Sequence, residues 1–151
     1  FAGVPRGVRL TVILDNCHSG SGTRAPDELD GADRRRPRFC DPRLLGLRAI
    51  ADVRHRARPR SRSIERHPQS GMRELLLSGC RADQYSYDAR FGRKYFGAMS
   101  YFAQQLIAAA DYRITYQQLR AALVPTLREH DYDQEPQLEG QASFKRRPVF
   151  T

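Results

Sequence analysis

A thiol, a carboxylate two residues before it and a turn of small residues after it stand together in Asp15-Asn16-Cys17-His18-Ser19-Gly20 (DNCHSG). A nucleophilic cysteine needs an accessible position, a base to take its proton, and backbone N–H groups to hold the oxyanion formed on the attacked carbonyl. The run Arg9 to Asp15 (RLTVILD) is apolar and rich in β-branched residues, and it breaks off into NCHSGSG. It therefore predicts a buried strand that delivers Cys17 to a loop at its C-terminal end. Such a position gives the thiol access and N–H groups, whereas a cysteine inside the apolar run would be a small buried hydrophobe. A second run, Arg73 to Ser78 (RELLLS), predicts another strand and ends in the polar stretch GCRADQYSYD, where Asp83, Ser86 and Asp88 carry side-chain oxygens. Ligands and reactive groups collect at the C-terminal strand ends of open α/β sheets, so these two tips are the places for chemistry.

The remaining elements must hold those tips. Phe96 to Ala110 (FGAMSYFAQQLIAAA) has apolar residues three to four apart, at Phe96, Met99, Phe102, Leu106 and Ala110, which predicts an amphipathic helix. Thr115 starts a second helix, TYQQLRAALVPTLREH, with Gln118 three residues on as a capping box, and Pro125 is expected to kink or break it. The tail, QEPQLEGQASFKRRPVF, reads as extended and turn-rich. Between Ser21 and Ser70 there is little hydrophobic periodicity, with Pro26, Pro37, Pro42, Pro59 and Pro68 as breakers. That stretch is expected to be a mobile loop, interrupted by a short helical turn around Leu44 to Val53. Strand, long loop, strand, helix, helix is an α/β arrangement. Residues 1–20 form the strand and loop of the thiol, 21–71 the Arg-rich loop, and 72–151 the strand-helix-helix portion.

Charge belongs to one segment. The 151 residues carry a net charge of +9, and the twelve arginines from Arg34 to Arg66, set against Asp41, Asp52 and Glu65, account for all of it. The basicity is a property of a loop, and it lacks the interleaved aromatics of a nucleic-acid surface. The longest apolar run, Leu106 to Ala110, is far short of the roughly 18 residues of a spanning helix, so no membrane association is expected. Three cysteines, Cys17, Cys40 and Cys80, have neither CxxC nor paired-His spacing, which argues for a reducing, cytoplasmic setting and against a disulfide scaffold or structural zinc. The start, FAGVPRGVRL, has neither Met nor the regions of a signal peptide and reads as a chain begun in mid-domain.

DNCHSG resembles the D-S-C-H-S-G nucleophile motif of metacaspases, the caspase-like cysteine peptidases, and GVRLTVIL resembles the strand that carries it. SGCRADQYSYDA is similar to the family's S-G-C-x-D-D-Q-T-S-A-D-A segment, FGAMSYFAQQLI and ITYQQLRAAL to its two later helices, and QEPQLEG to the Q-x-P-Q-L-x-G of bacterial members. The likeness spares only Arg24 to Gly71. It implies a caspase-like (caspase-haemoglobinase) sandwich, a mostly parallel sheet with flanking helices, incomplete here. It implies a cysteine endopeptidase in which Cys17 is the nucleophile and its backbone N–H half of the oxyanion hole. Asp15 would line the pocket for an Arg or Lys before the cleaved bond, a choice that fits the pairing of a desolvated carboxylate with a guanidinium. Asp83, Ser86 and Asp88 would border the same cleft as substrate-binding residues, with a hydrogen-bonded loop at a helix N-terminus as the plainer reading. Partners would be protein or peptide substrates, and the protein a monomer.

The family's general base is a histidine about 50 residues before the cysteine, whereas the sixteen residues before Cys17 include none. His18, adjacent on an extended backbone, faces away, and His55, His67 and His130 are expected at the solvated surface. The histidine is therefore expected upstream of this chain, the chain alone is expected to be inactive, and one edge of its strands is expected to be unpaired. Tyr85 and Tyr87 stand where the family has Thr and Ala and make a bulkier wall. Calcium is the one cofactor the resemblance leaves open: DELDGAD, Asp27 to Asp33, offers hard oxygens, although an acidic loop balancing the arginines is the simpler account. The Arg-rich loop reads as a set of self-processing sites, except at bonds before proline such as Arg36-Pro37 and Arg58-Pro59. The alternative is an inactive caspase-like fragment that acts as an interaction module, its basic loop meeting acidic partners or nucleic acid through phosphates.

Overall fold

The computed structural model describes residues 5, 7–16, 35–38, 72, 74–81 and 84–151. The expected helical turn at Leu44 to Val53, the acidic run Asp27 to Asp33, and Cys17, His18, His55, His67 and Asp83 lie outside the described residues. What is described is mixed α/β.

The β-branched run forms strand β1 (Leu10–Leu14). The short strand β2 (Arg35–Pro37) follows, then β3 (Glu74–Ser78), in which Leu75 and Leu77 point into the core. β1 and β3 are parallel, from Leu10 opposite Glu74 to Leu14 opposite Ser78, so both C-terminal tips emerge at one end. Strands β4 (Tyr87–Phe91) and β5 (Lys94–Gly97) form a hairpin across the two-residue turn Gly92-Arg93. Gly92 has φ +62°, the backbone sign that favours glycine at the first position of such a turn. Helices α1 (Ala98–Ala109) and α2 (Tyr116–Glu129) come next, then β6 (Gln137–Glu139) and the single turn α3 (Ala142–Lys145).

One sheet has the order β1-β3-β6 and the other β2-β4-β5. Against the expected mostly parallel sheet, β1 with β3 is the one parallel pair among the described residues; β6 lies antiparallel to β3 and the second sheet is antiparallel throughout. A single helical crossover returns a chain parallel, whereas two helices separate the β4–β5 hairpin from β6, which enters from the opposite end. β1 ends its sheet, and Ile13 and Leu14 are exposed there.

The core is β3 against both helices: Leu75 and Leu77, then Met99, Phe102 and Ile107, then Leu119, Leu123 and Leu127. The capping box forms as predicted: the Gln118 N–H donates to Thr115 Oγ1 at 3.2 Å, and the Thr115 N–H to Gln118 Oε1 at 2.9 Å. Three expectations need correction. Phe96 and Gly97 belong to β5, so α1 starts two residues later than its apolar spacing predicted. Pro125 does not end α2, which continues to Glu129 because Leu119, Leu123 and Leu127, all buried at successive turns, hold it on the core. A strand, β2, lies within the segment expected to be loop. No helix among the described residues is long and apolar enough to cross a membrane.

Leu123→Ala should cost about 2–5 kcal/mol because a fully buried side chain leaves a cavity. Thr115→Ala should cost only about 1 kcal/mol, the worth of a cap. Denaturant unfolding of both variants measures this, and a smaller loss for Leu123→Ala would contradict the packing described.

Candidate functional site

The two strand tips are joined directly. The Gly79 N–H donates to the Leu14 carbonyl at 2.8 Å, extending the parallel ladder by one residue and setting Asp15 beside the start of the segment that leads to β4. Gln134, buried, fixes that segment from the other side: its Nε2 donates to the Gly79 carbonyl at 3.0 Å and its Oε1 accepts from the Tyr87 N–H at 3.0 Å. Glu135, beside it, takes Arg120 Nη2 at 2.7 Å and Arg81 Nη1 at 3.3 Å, while its own N–H donates to Gln84 Oε1 at 2.9 Å. The QEPQLEG stretch thus holds the second tip in place.

Ser86, Ser100 and Arg38 converge on Asp15, whose side chain is only 6% exposed. Its Oδ1 accepts from the Ser86 hydroxyl at 2.6 Å, and Ser86 is wholly buried. Its Oδ2 accepts from the Ser100 N–H at 2.9 Å. Ser100 lies in the first turn of α1, where N–H groups have no partner within the helix, and Gly97, the residue that caps it, has no side chain to offer. Asp15 therefore serves the helix from another element, at the end where the helix dipole favours negative charge. The same Oδ2 lies 3.3 Å from Arg38 Nη1, and Arg38 Nε lies 3.2 Å from Asp88 Oδ1. One guanidinium bridges two carboxylates, and its backbone is held too, the Arg38 N–H donating to the Ser86 carbonyl at 2.7 Å.

Two glycines clear this space. A Cβ on Gly97 would collide with Asp15 Oδ2 and Arg38 Nη1, and one on Gly79 would come within 2.7 Å of Ser86 Oγ and 3.0 Å of Asp15 Oδ1. Gly97 has ordinary backbone angles, φ −63° and ψ 131°, so room and not conformation requires glycine there.

Of the residues singled out in the sequence, Asp15, Ser86 and Asp88 are brought together, while Cys17 and Asp83 lie outside the described residues. Asp88 sits in β4 and not in a loop. His130 is exposed, with Nδ1 2.8 Å from the Thr126 carbonyl and its ring 4.5 Å from that of Phe102. Sequence reasoning missed Arg38, Gly97 and Gln134. Arg38 is one of twelve arginines in its tract and carries no local signal, whereas the alternating YDARF-GR-KYF pattern does signal the hairpin that ends at Gly97. Among the described residues no group of three or more His, Cys, Asp or Glu could hold a metal. Chemically, the arrangement is a buried, preorganised carboxylate that holds a guanidinium.

No protein-family model matches the chain, and no curated protein matches it.

Gly97→Ala should lower stability by about 1–3 kcal/mol, the usual penalty for forcing atoms into filled space. An unchanged denaturation midpoint would contradict the crowding described around Asp15.

Proposed function

We propose that the chain is the Cys-bearing part of a cysteine endopeptidase of the metacaspase kind, caspase-like in fold, that cleaves after Arg or Lys. The observation that carries this reading is the Asp15 carboxylate, almost fully buried, two residues before Cys17, with a guanidinium seated on it. A cationic side chain brings its own charge into such a site, and a carboxylate already oriented by Ser86 and Ser100 need not reorganise to receive it.

In the proposed reaction the Cys17 thiolate attacks the carbonyl carbon that follows the bound Arg or Lys side chain. Backbone N–H groups at the turn hold the resulting oxyanion. The C–N bond then breaks, a histidine supplied upstream of this chain gives the proton to the leaving amine, and water hydrolyses the thioester to regenerate the thiol. Asp15 and Asp88 select the cation, Ser86 fixes the Asp15 rotamer, and Asp83 borders the cleft. The Arg-rich tract supplies sites for self-processing.

The full-length gene product should hydrolyse a fluorogenic peptide ending in Arg, and Cys17→Ala should abolish that activity. Cleavage persisting in Cys17→Ala would overturn the assignment. Asp15→Asn should lower kcat/KM for Arg-ending peptides by on the order of 10²-fold, the cost of leaving a desolvated cation without its partner. An undiminished rate would remove Asp15 from the specificity site.

A further inference from the structure

The carboxylate pocket is occupied by the chain itself, and the occupant is held by its backbone as well as by its side chain. β2 lies extended at the edge of its sheet, antiparallel to β4, with Arg36 opposite Asp88 and Pro37 opposite Tyr87. Hydrogen-bonded and non-hydrogen-bonded pairs alternate along an antiparallel ladder. The bond from the Arg38 N–H to the Ser86 carbonyl makes Arg38 and Ser86 a bonded pair, and Pro37 and Tyr87 a non-bonded one. Pro37 therefore sits where its missing N–H costs the ladder nothing. An extended segment on a sheet edge, main chain in register and alternate side chains in pockets, is how sheets take up peptides. The last side chain of this one, Arg38, reaches Asp15 and Asp88.

We propose that Arg35–Arg38 is an internal occupant of the arginine pocket, which it holds against arginine peptides from outside; this rests on the reading of Asp15 as the carboxylate of that pocket. The occupant also defines the preferred outside ligand: an extended peptide whose arginine is preceded by proline, laid along β4. A segment tethered within the same chain competes at an effective concentration on the order of millimolar. The apparent affinity for an outside peptide falls by the fraction of molecules in which the pocket is open. Arg38 is 34% exposed, so the occupied pocket is open on one side to solvent and exchange requires no unfolding of the core.

The test is a calorimetric titration of the full chain with the peptide acetyl-Arg-Arg-Pro-Arg-amide. Arg38→Ala should bind it at least about tenfold more tightly than the unaltered chain, and adding Asp15→Asn should erase the gain. Equal affinity in the unaltered chain and Arg38→Ala, with binding still dependent on Asp15, would overturn the occupant and leave the arginine pocket standing. Binding that ignores Asp15 in every variant would overturn both. Should Arg38→Ala fail to melt cooperatively, Arg38→Gln, which keeps most of the stem without the charge, serves for the same comparison.

Discussion

A carboxylate placed at the junction of several elements and shut away from water must be satisfied on both oxygens, and most of what surrounds Asp15 follows from that requirement. β1 delivers it, the start of α1 gives it an N–H, the residue before β4 gives it a hydroxyl, and the residue after β2 gives it a positive charge. Removing a partner from such a buried charge costs about 3–5 kcal/mol, a large share of the 5–15 kcal/mol by which a whole domain is stable. The two glycines that make room for the junction are fixed by the same constraint. Each lies where a methyl group would displace an oxygen of Asp15 or its partner.

The parallel pairing of β1 with β3 brings the constraint about. With the two strands in register, their tips end side by side, and the bond from the Gly79 N–H to the Leu14 carbonyl closes the gap between them. Gln134 then acts as a strut between the second tip and β4, returning from a segment 55 residues beyond Gly79. The site is thus assembled from four stretches far apart in sequence, each anchored by backbone bonds, and the side chains at its centre have little freedom. The proposed pocket would gain from that preorganisation, since an ion pair formed by already ordered groups loses less entropy on binding.

The legible parts of the sequence are those whose physics is local. β1 and β3 are short apolar runs broken by small polar residues, α2 announces itself through Thr115 and Gln118, and the three-to-four spacing of Met99, Phe102 and Leu106 marks α1. In the hairpin of β4 and β5, YDARF alternates as a strand should, but Phe96 also falls on the apolar period of the helix, so the end of β5 reads as the start of α1. β2 could not be read at all, since three residues rich in charge and proline become a strand only because β4 offers an edge. Pro125 lies in a helix because three leucines at successive turns outweigh the loss of one backbone bond. At the site, Asp15, Ser86 and Asp88 stood out through motif resemblance. Arg38 did not, for nothing in a run of arginines tells which of them will find a carboxylate in space.

Asp15 is proposed to hold a guanidinium brought by a peptide. A crystal structure of the protein carrying Arg38→Ala, soaked with an arginine-ended peptide, tests this most directly. The peptide should lie extended along β4 with its guanidinium on Asp15 Oδ2. A bound peptide with its arginine elsewhere, and Asp15 bonded only to Ser86 and Ser100, would contradict it.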